Sequence, residues 1–195
     1  MGRSFAVFLT MVLLSGCGGY FPEKLPGEYI EDHPDSVRLG DVFAFAKIFD
    51  CTEAKSTFSC DMCKKGVQPV FIVMDNKSDV TYRFRKANVD SGYIYAEKAA
   101  MSCALSHMKG GIWPPAHVRI NKINQGIMKD YTAKEIGDGL VEPGQALSGV
   151  MFIEPIENGE RIDIPLISRE DGERLMFQFP PSAISQRDEE HVVPE

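Results

Sequence analysis

No apolar run in this chain of 195 residues reaches the ~20 that a spanning helix needs. Basic side chains are in deficit: 21 Lys and Arg stand against 28 Asp and Glu, a net charge of −7. That balance argues against a nucleic-acid partner, which calls for a basic footprint. The chain lacks G-x-S-x-G, P-loop, G-x-G-x-x-G and H-E-x-x-H sequences, and none of its 4 histidines (His33, His107, His117, His191) has a ligand-spaced partner. The histidines read as solvated or capping groups. No catalytic residue, no metal ligand and no cofactor is therefore expected, and the chain is not expected to be an enzyme. A repeat with a period of 20–50 residues, the mark of solenoids and propellers, is also missing.

What is present is ordinary for one globular domain: 44% hydrophobic and 25% charged residues. The N terminus is less ordinary. Arg3 precedes residues 5–14, which are apolar except for Thr10. This is the length of a signal-peptide h-region. It ends in Leu14-Ser15-Gly16-Cys17.

Those four residues resemble the lipobox of bacterial lipoproteins: Leu, a small residue, Gly or Ala, then Cys. The resemblance implies a diacylglycerol on the Cys17 thiol, cleavage between Gly16 and Cys17, and acylation of the new amino group, with palmitate as the expected kind of acyl chain. An ordinary secretory signal would leave Cys17 unexplained, and Ala6 breaks the myristoylation motif. The glycines at 16, 18 and 19 argue against a buried core helix. Two or three acyl chains, at roughly 0.8 kcal/mol per buried methylene, anchor a protein almost permanently. No Asp follows Cys17 directly, which by the same resemblance points to the outer membrane, facing the periplasm or the exterior. The membrane is then the first partner, through the lipid.

Residues 1–16 are thus read as a signal peptide and 17–40 as a lipidated N terminus and flexible tether. Pro22, Pro26 and Pro34 interrupt the tether, and it has no apolar period. Residues 41–183 should form the domain, and 184–195 a disordered tail. Within the domain the period is two. Residues 42–49 (VFAFAKIF) are apolar on nearly both faces, as in an interior strand. Residues 68–74 lead through the turn-rich 75–79 to a strand with Val80, Tyr82 and Phe84 on one face and Thr81, Arg83 and Arg85 on the other, expected to pair by a hairpin. Residues 148–154, 161–167 and 174–179 supply further strands; Pro165 suggests an edge or a bulge, and Glu170-Asp171-Gly172-Glu173 a hairpin turn.

Helical patterns occupy 95–109 and, more weakly, 124–136. The predicted fold is mainly β, a β-sandwich with one or two helices inserted in the middle crossover, at about 95–137. The run Val141-Glu142-Pro143-Gly144-Gln145, followed by Leu147-Ser148-Gly149-Val150, resembles the late-strand pattern of immunoglobulin-like domains in bacterial lipoproteins, over residues 141–195. That resemblance implies an immunoglobulin-like sandwich.

Of five cysteines, the lipobox resemblance assigns Cys17 to the lipid. Cys51, Cys60, Cys63 and Cys103 remain, and an even number in an exported chain reads as two disulfides. Cys51 with Cys63, closing the loop between the first two strands, would leave Cys60 for Cys103; Cys60 with Cys63 is the main alternative. The C-x-x-C of Cys60 and Cys63 also invites redox use, but a β-run follows it instead of a helix. Four thiolates suit zinc, yet only one C-x-x-C is present, and Lys64 stands where covalent haem attachment wants His. The resulting expectation is a membrane-anchored, non-enzymatic module of the cell envelope that binds an envelope protein or a surface component. The alternative is a lipid-anchored thiol–disulfide or metal-handling protein using Cys60 and Cys63.

Overall fold

A computed structural model describes residues 35–89, 92–105, 114–156 and 161–180. Gly16 and Cys17, most of the tether, Trp113 and the tail at 184–195 lie outside those residues. Among the described residues nine strands form two antiparallel sheets, so the protein is mainly β and a β-sandwich. One sheet runs β1-β2-β3-β7-β5, from β1 (Val37–Leu39), β2 (Val42–Ile48), β3 (Gln68–Asn76), β7 (Ala146–Ile153) and β5 (Tyr93–Ile94). The other runs β6-β4-β8-β9, from β6 (Gly139–Val141), β4 (Tyr82–Phe84), β8 (Ile162–Ser168) and β9 (Arg174–Phe179). Strand β1 falls inside the stretch assigned to the tether. It is bound to β2 through a two-residue Gly40-Asp41 turn, with Gly40 at φ +61° and Arg38 clamping Asp41 at 2.8 Å.

Between the sheets lies a core of Ala44, Ile72, Met74 and Met151 from one side and Phe84, Ile164, Leu166 and Phe177 from the other, all fully buried. Alternation along β2, β3 and β7 sends a second apolar set to the opposite face: Phe45, Phe71, Val73 and Phe152. Each such side chain is stabilised by ~1.5–3 kcal/mol on leaving water, so this face has to be covered. Three helices cover it: α1 (Cys51–Phe58), α2 (Ala96–Cys103) and α3 (Pro114–Lys134). The protein is therefore three layers deep on this side. The double-sided apolar character of residues 42–49 follows from that burial.

Several local readings are corrected. The stretch between β2 and β3 opens on helix α1, where a loop was expected. Asp50 caps α1 by accepting from Thr52 and Glu53 amides, and Glu53 returns a bond to the Asp50 amide, a complete capping box. The helix predicted at 95–109 is α2, which stops at Cys103, and the weaker one at 124–136 is the 21-residue α3, which starts on two prolines. Among the described residues the α-helices thus number three, and α2 and α3 lie in the middle crossover.

Strand β4 does not pair with β3 through the 75–79 turn; it belongs to the other sheet, between β6 and β8. The turn is a crossover held by the fully buried Asn76, whose amide donates to the Val80 and Val141 carbonyls at 2.8 and 2.9 Å. Its Oδ1 accepts from the Ser78 amide and hydroxyl, so every polar atom of the side chain is engaged. Strand β8 as a whole lies between β4 and β9, but Pro165, one residue before Leu166, is outside the β4 pairing, so β8 has only β9 beside it there and no bond to β4 is lost.

Gly149 tests how the layers meet. At Gly149 in β7 an added Cβ would lie 2.7 Å from both Cα and N of Ile136, where the chain leaves α3 and its amide donates to Val150 O. Backbone on both sides has no rotamer with which to yield. Gly149→Ala should cost about 1–3 kcal/mol in urea unfolding followed by circular dichroism. Gly126→Ala, in α3 with open space around it, should instead stabilise by about 0.5–1 kcal/mol. The same sign at both sites would show that Ile136 does not ride over β7.

Candidate functional site

The four cysteines expected to be cross-linked are cross-linked. Cys51 bonds to Cys63, with Cα atoms 5.7 Å apart, and Cys60 bonds to Cys103 at 5.9 Å. Helix α1 starts at Cys51, Ser59 ends it in the left-handed conformation, and the chain then turns through Cys60 and the buried Met62 to Cys63. The first bond closes this excursion on itself, and the Phe49 amide donates to Pro69 O at its neck. The second ties it to the last residue of α2. Cys60 and Cys63 therefore have different partners and form no mutual bond. Asp61 between them is held below the usual carboxylate range, chiefly by its hydrogen bond with Lys64. Among the described residues no group of three or more His, Cys, Asp or Glu could hold a metal ion.

A second polar centre lies at the far end of α3. One Glu135 carboxylate oxygen accepts from the Tyr93 hydroxyl and from the Ala96 amide at 3.1 Å, the first amide of α2. The other oxygen pairs with Lys86 at 2.9 Å, both side chains being only 13–14% exposed. Lys86 also stands 5.0 Å above the Tyr93 ring. Burial first, and the Glu135 carboxylate second, push the Tyr93 hydroxyl above its ordinary range. With both carboxylate oxygens occupied, this centre works as a fastening: a remote Glu supplies the N-terminal acceptor that Tyr95, the capping residue of α2, does not.

The third arrangement is a basic cleft. The outer face of the four-stranded sheet carries no helix among the described residues. The face opposite Tyr82 and Phe84 was read as outward from the sequence, and Arg83 and Arg85 do point out. A cleft of about 350 Å³ opens there, lined by Arg83, Arg85, Arg169, Asp138, Leu140 and backbone of Phe84 and Gly139. The strand register explains the convergence. Arg83 faces Leu140 on β6 and Ile167 on β8, and the Arg169 amide donates to Thr81 O, extending the ladder one residue beyond β8. Arg169 is thus a diagonal neighbour of Arg83, ~7–8 Å away and within reach of long side chains. Asp138 is the one carboxylate of the lining, and its Oδ1 accepts from the Lys86 amide at 2.8 Å.

No family model, no curated protein and no solved structure matches this chain.

Proposed function

We propose that the chain is an exported bacterial lipoprotein, held in the outer membrane by acyl chains on Cys17, whose sandwich is a non-enzymatic module binding another envelope protein or surface component. The observation that carries this reading is the use of the cysteines. All four beyond Cys17 are spent in two cross-links, which leaves Cys17 as the only remaining thiol. Disulfides of this kind persist in oxidising compartments, where a chain with a signal peptide is delivered.

The sandwich is read as immunoglobulin-like, and the strand order supports this. Strands β2, β3 and β7 follow the A-B-E order of one sheet, and β6-β4-β8-β9 follow C′-C-F-G of the other. In that reading β1 and β5 extend the edges of the first sheet, and α2 and α3 occupy the connection from C to C′.

The anchor is tested by Cys17→Ser. Wild type should incorporate labelled palmitate and have the mass of a chain beginning at a lipidated residue 17. The variant should incorporate none and retain residues 1–16. A variant cleaved after Gly16 and still labelled would end the lipoprotein reading.

A further inference from the structure

We propose that Arg83, Arg85 and Arg169 form a binding site for a phosphate oxyanion on the outer face of the four-stranded sheet. The proposal stands on the cleft alone and holds whether or not Cys17 is lipidated. Three guanidiniums line it against one carboxylate, Asp138, a surplus of two positive charges in a chain that is acidic overall. That surplus equals the charge of a phosphate dianion. Among the described residues no carboxylate forms an ion pair with any of the three arginines. Several other basic side chains are neutralised: Lys86 by Glu135, Lys134 by Asp130, Arg38 by Asp41 and Arg161 by Asp163. Of the basic side chains that form no ion pair among the described residues, these three line one cleft together.

Position adds to charge. Arg83 lies in β4, Arg85 just past its end and Arg169 just past the end of β8, so the cleft draws its arginines from two neighbouring strands. A carboxylate is satisfied by one bidentate arginine, whereas a tetrahedral oxyanion can accept from several at once. Leu140, 38% exposed at the wall, is one of five large apolar side chains left in solvent among the described residues. It suits a ligand whose phosphate carries an organic group. The same chemistry occurs in a soluble phosphate ester and in the headgroup of an anionic lipid.

The test uses the full chain in neutral detergent, with inorganic phosphate as the probe, followed by calorimetry and by the arginine Nε–H resonances in NMR. Saturable binding should shift the resonances of Arg83, Arg85 and Arg169. Arg83→Gln and Arg169→Gln should each weaken it about tenfold or more, the scale of one lost charge-assisted hydrogen bond. Arg83→Lys, which keeps the charge and loses the fork, should fall between. Arg161→Gln, at an exposed arginine already paired 3.1 Å from Asp163, should leave binding unchanged. All four variants should keep the wild-type urea midpoint.

Micelles doped with phosphatidylglycerol, compared with phosphatidylcholine, then separate the sources. Displacement of phosphate by the former alone assigns a lipid headgroup, and no displacement assigns a soluble ester. The proposal is overturned if phosphate binding does not saturate, or if Arg161→Gln weakens it as much as Arg83→Gln does. Binding of poly-glutamate by a chain that ignores phosphate would overturn it equally.

Discussion

Replacing Phe58 by Ala should cost the protein about 3–5 kcal/mol, the range for truncating a fully buried aromatic side chain. Phe58 ends α1 and is the contact through which that helix reaches the sheet. Its ring meets Phe152 of β7 edge-on at 5.4 Å and Tyr131 of α3 edge-on at 4.9 Å, and Lys134 Nζ lies 5.1 Å above it. Truncation would open a cavity among α1, α3 and β7, and disulfides at Cys51 and Cys60 on either side of α1 limit how far that helix can collapse into it. Tyr131→Phe supplies the contrast. The Tyr131 ring is fully buried and stacked on Phe152 at 5.4 Å, yet its hydroxyl has no hydrogen-bond partner among the described residues. Removing a buried, unpaired hydroxyl while keeping the ring should leave stability unchanged or raise it by about 1 kcal/mol. Urea unfolding of both variants decides the matter. A loss above about 1 kcal/mol for Tyr131→Phe would mean that the hydroxyl has a partner.

How much of this was legible in the sequence depends on how local the determining contacts are. The β8–β9 hairpin was legible because its cause is local. Gly172 takes φ +77° in the turn, and Ile162, Ile164 and Leu166 alternate inward against Phe177 and Phe179. The interior position of β2 was legible from apolar residues on both faces. The partner of β4 was not, because a turn-rich segment after a strand looks the same whether the chain doubles back or crosses to another sheet. Here the choice rests on Asn76 reaching Val141, 65 residues away. Helix α1 had a visible signal in Asp50 and Glu53, the two ends of a capping box. With eight residues and only Ala54, Thr57 and Phe58 buried, it offers too little length for a 3.6-residue period to emerge.

The same rule governs the sites. Arg83 and Arg85 could be placed on an outward face by alternation. Their meeting with Arg169, from a turn more than 80 residues later, required the register between β4 and β8. Glu135 carried no sequence signal at all, because its partners Lys86, Tyr93 and Ala96 lie in three separate segments.

The disulfides should divide the protein's stability unequally, and their removal separates a structural role from a redox one. In the chain-entropy model, losing the Cys51–Cys63 bond, with a separation of 12 residues, costs about 3 kcal/mol. Losing Cys60–Cys103, with a separation of 43, costs about 4 kcal/mol. Paired replacements, Cys51→Ser with Cys63→Ser and Cys60→Ser with Cys103→Ser, leave no stray thiol to reshuffle and are the variants to unfold. Hydrogen exchange should then place the damage. The second pair should expose the amides of α2 while those of β3 and β8 stay protected, because the sandwich core does not pass through the cysteines. A working redox pair would behave in the opposite way, with little stability lost on replacement and a potential near that of its surroundings. Because Cys60 and Cys63 are bonded to different partners, reducing either bond must also release a packed segment. Both bonds should accordingly resist a glutathione redox series. A bond that opens at a potential more oxidising than about −250 mV would make the cysteines part of the protein's chemistry, and the binding-module reading would give way to the thiol–disulfide one.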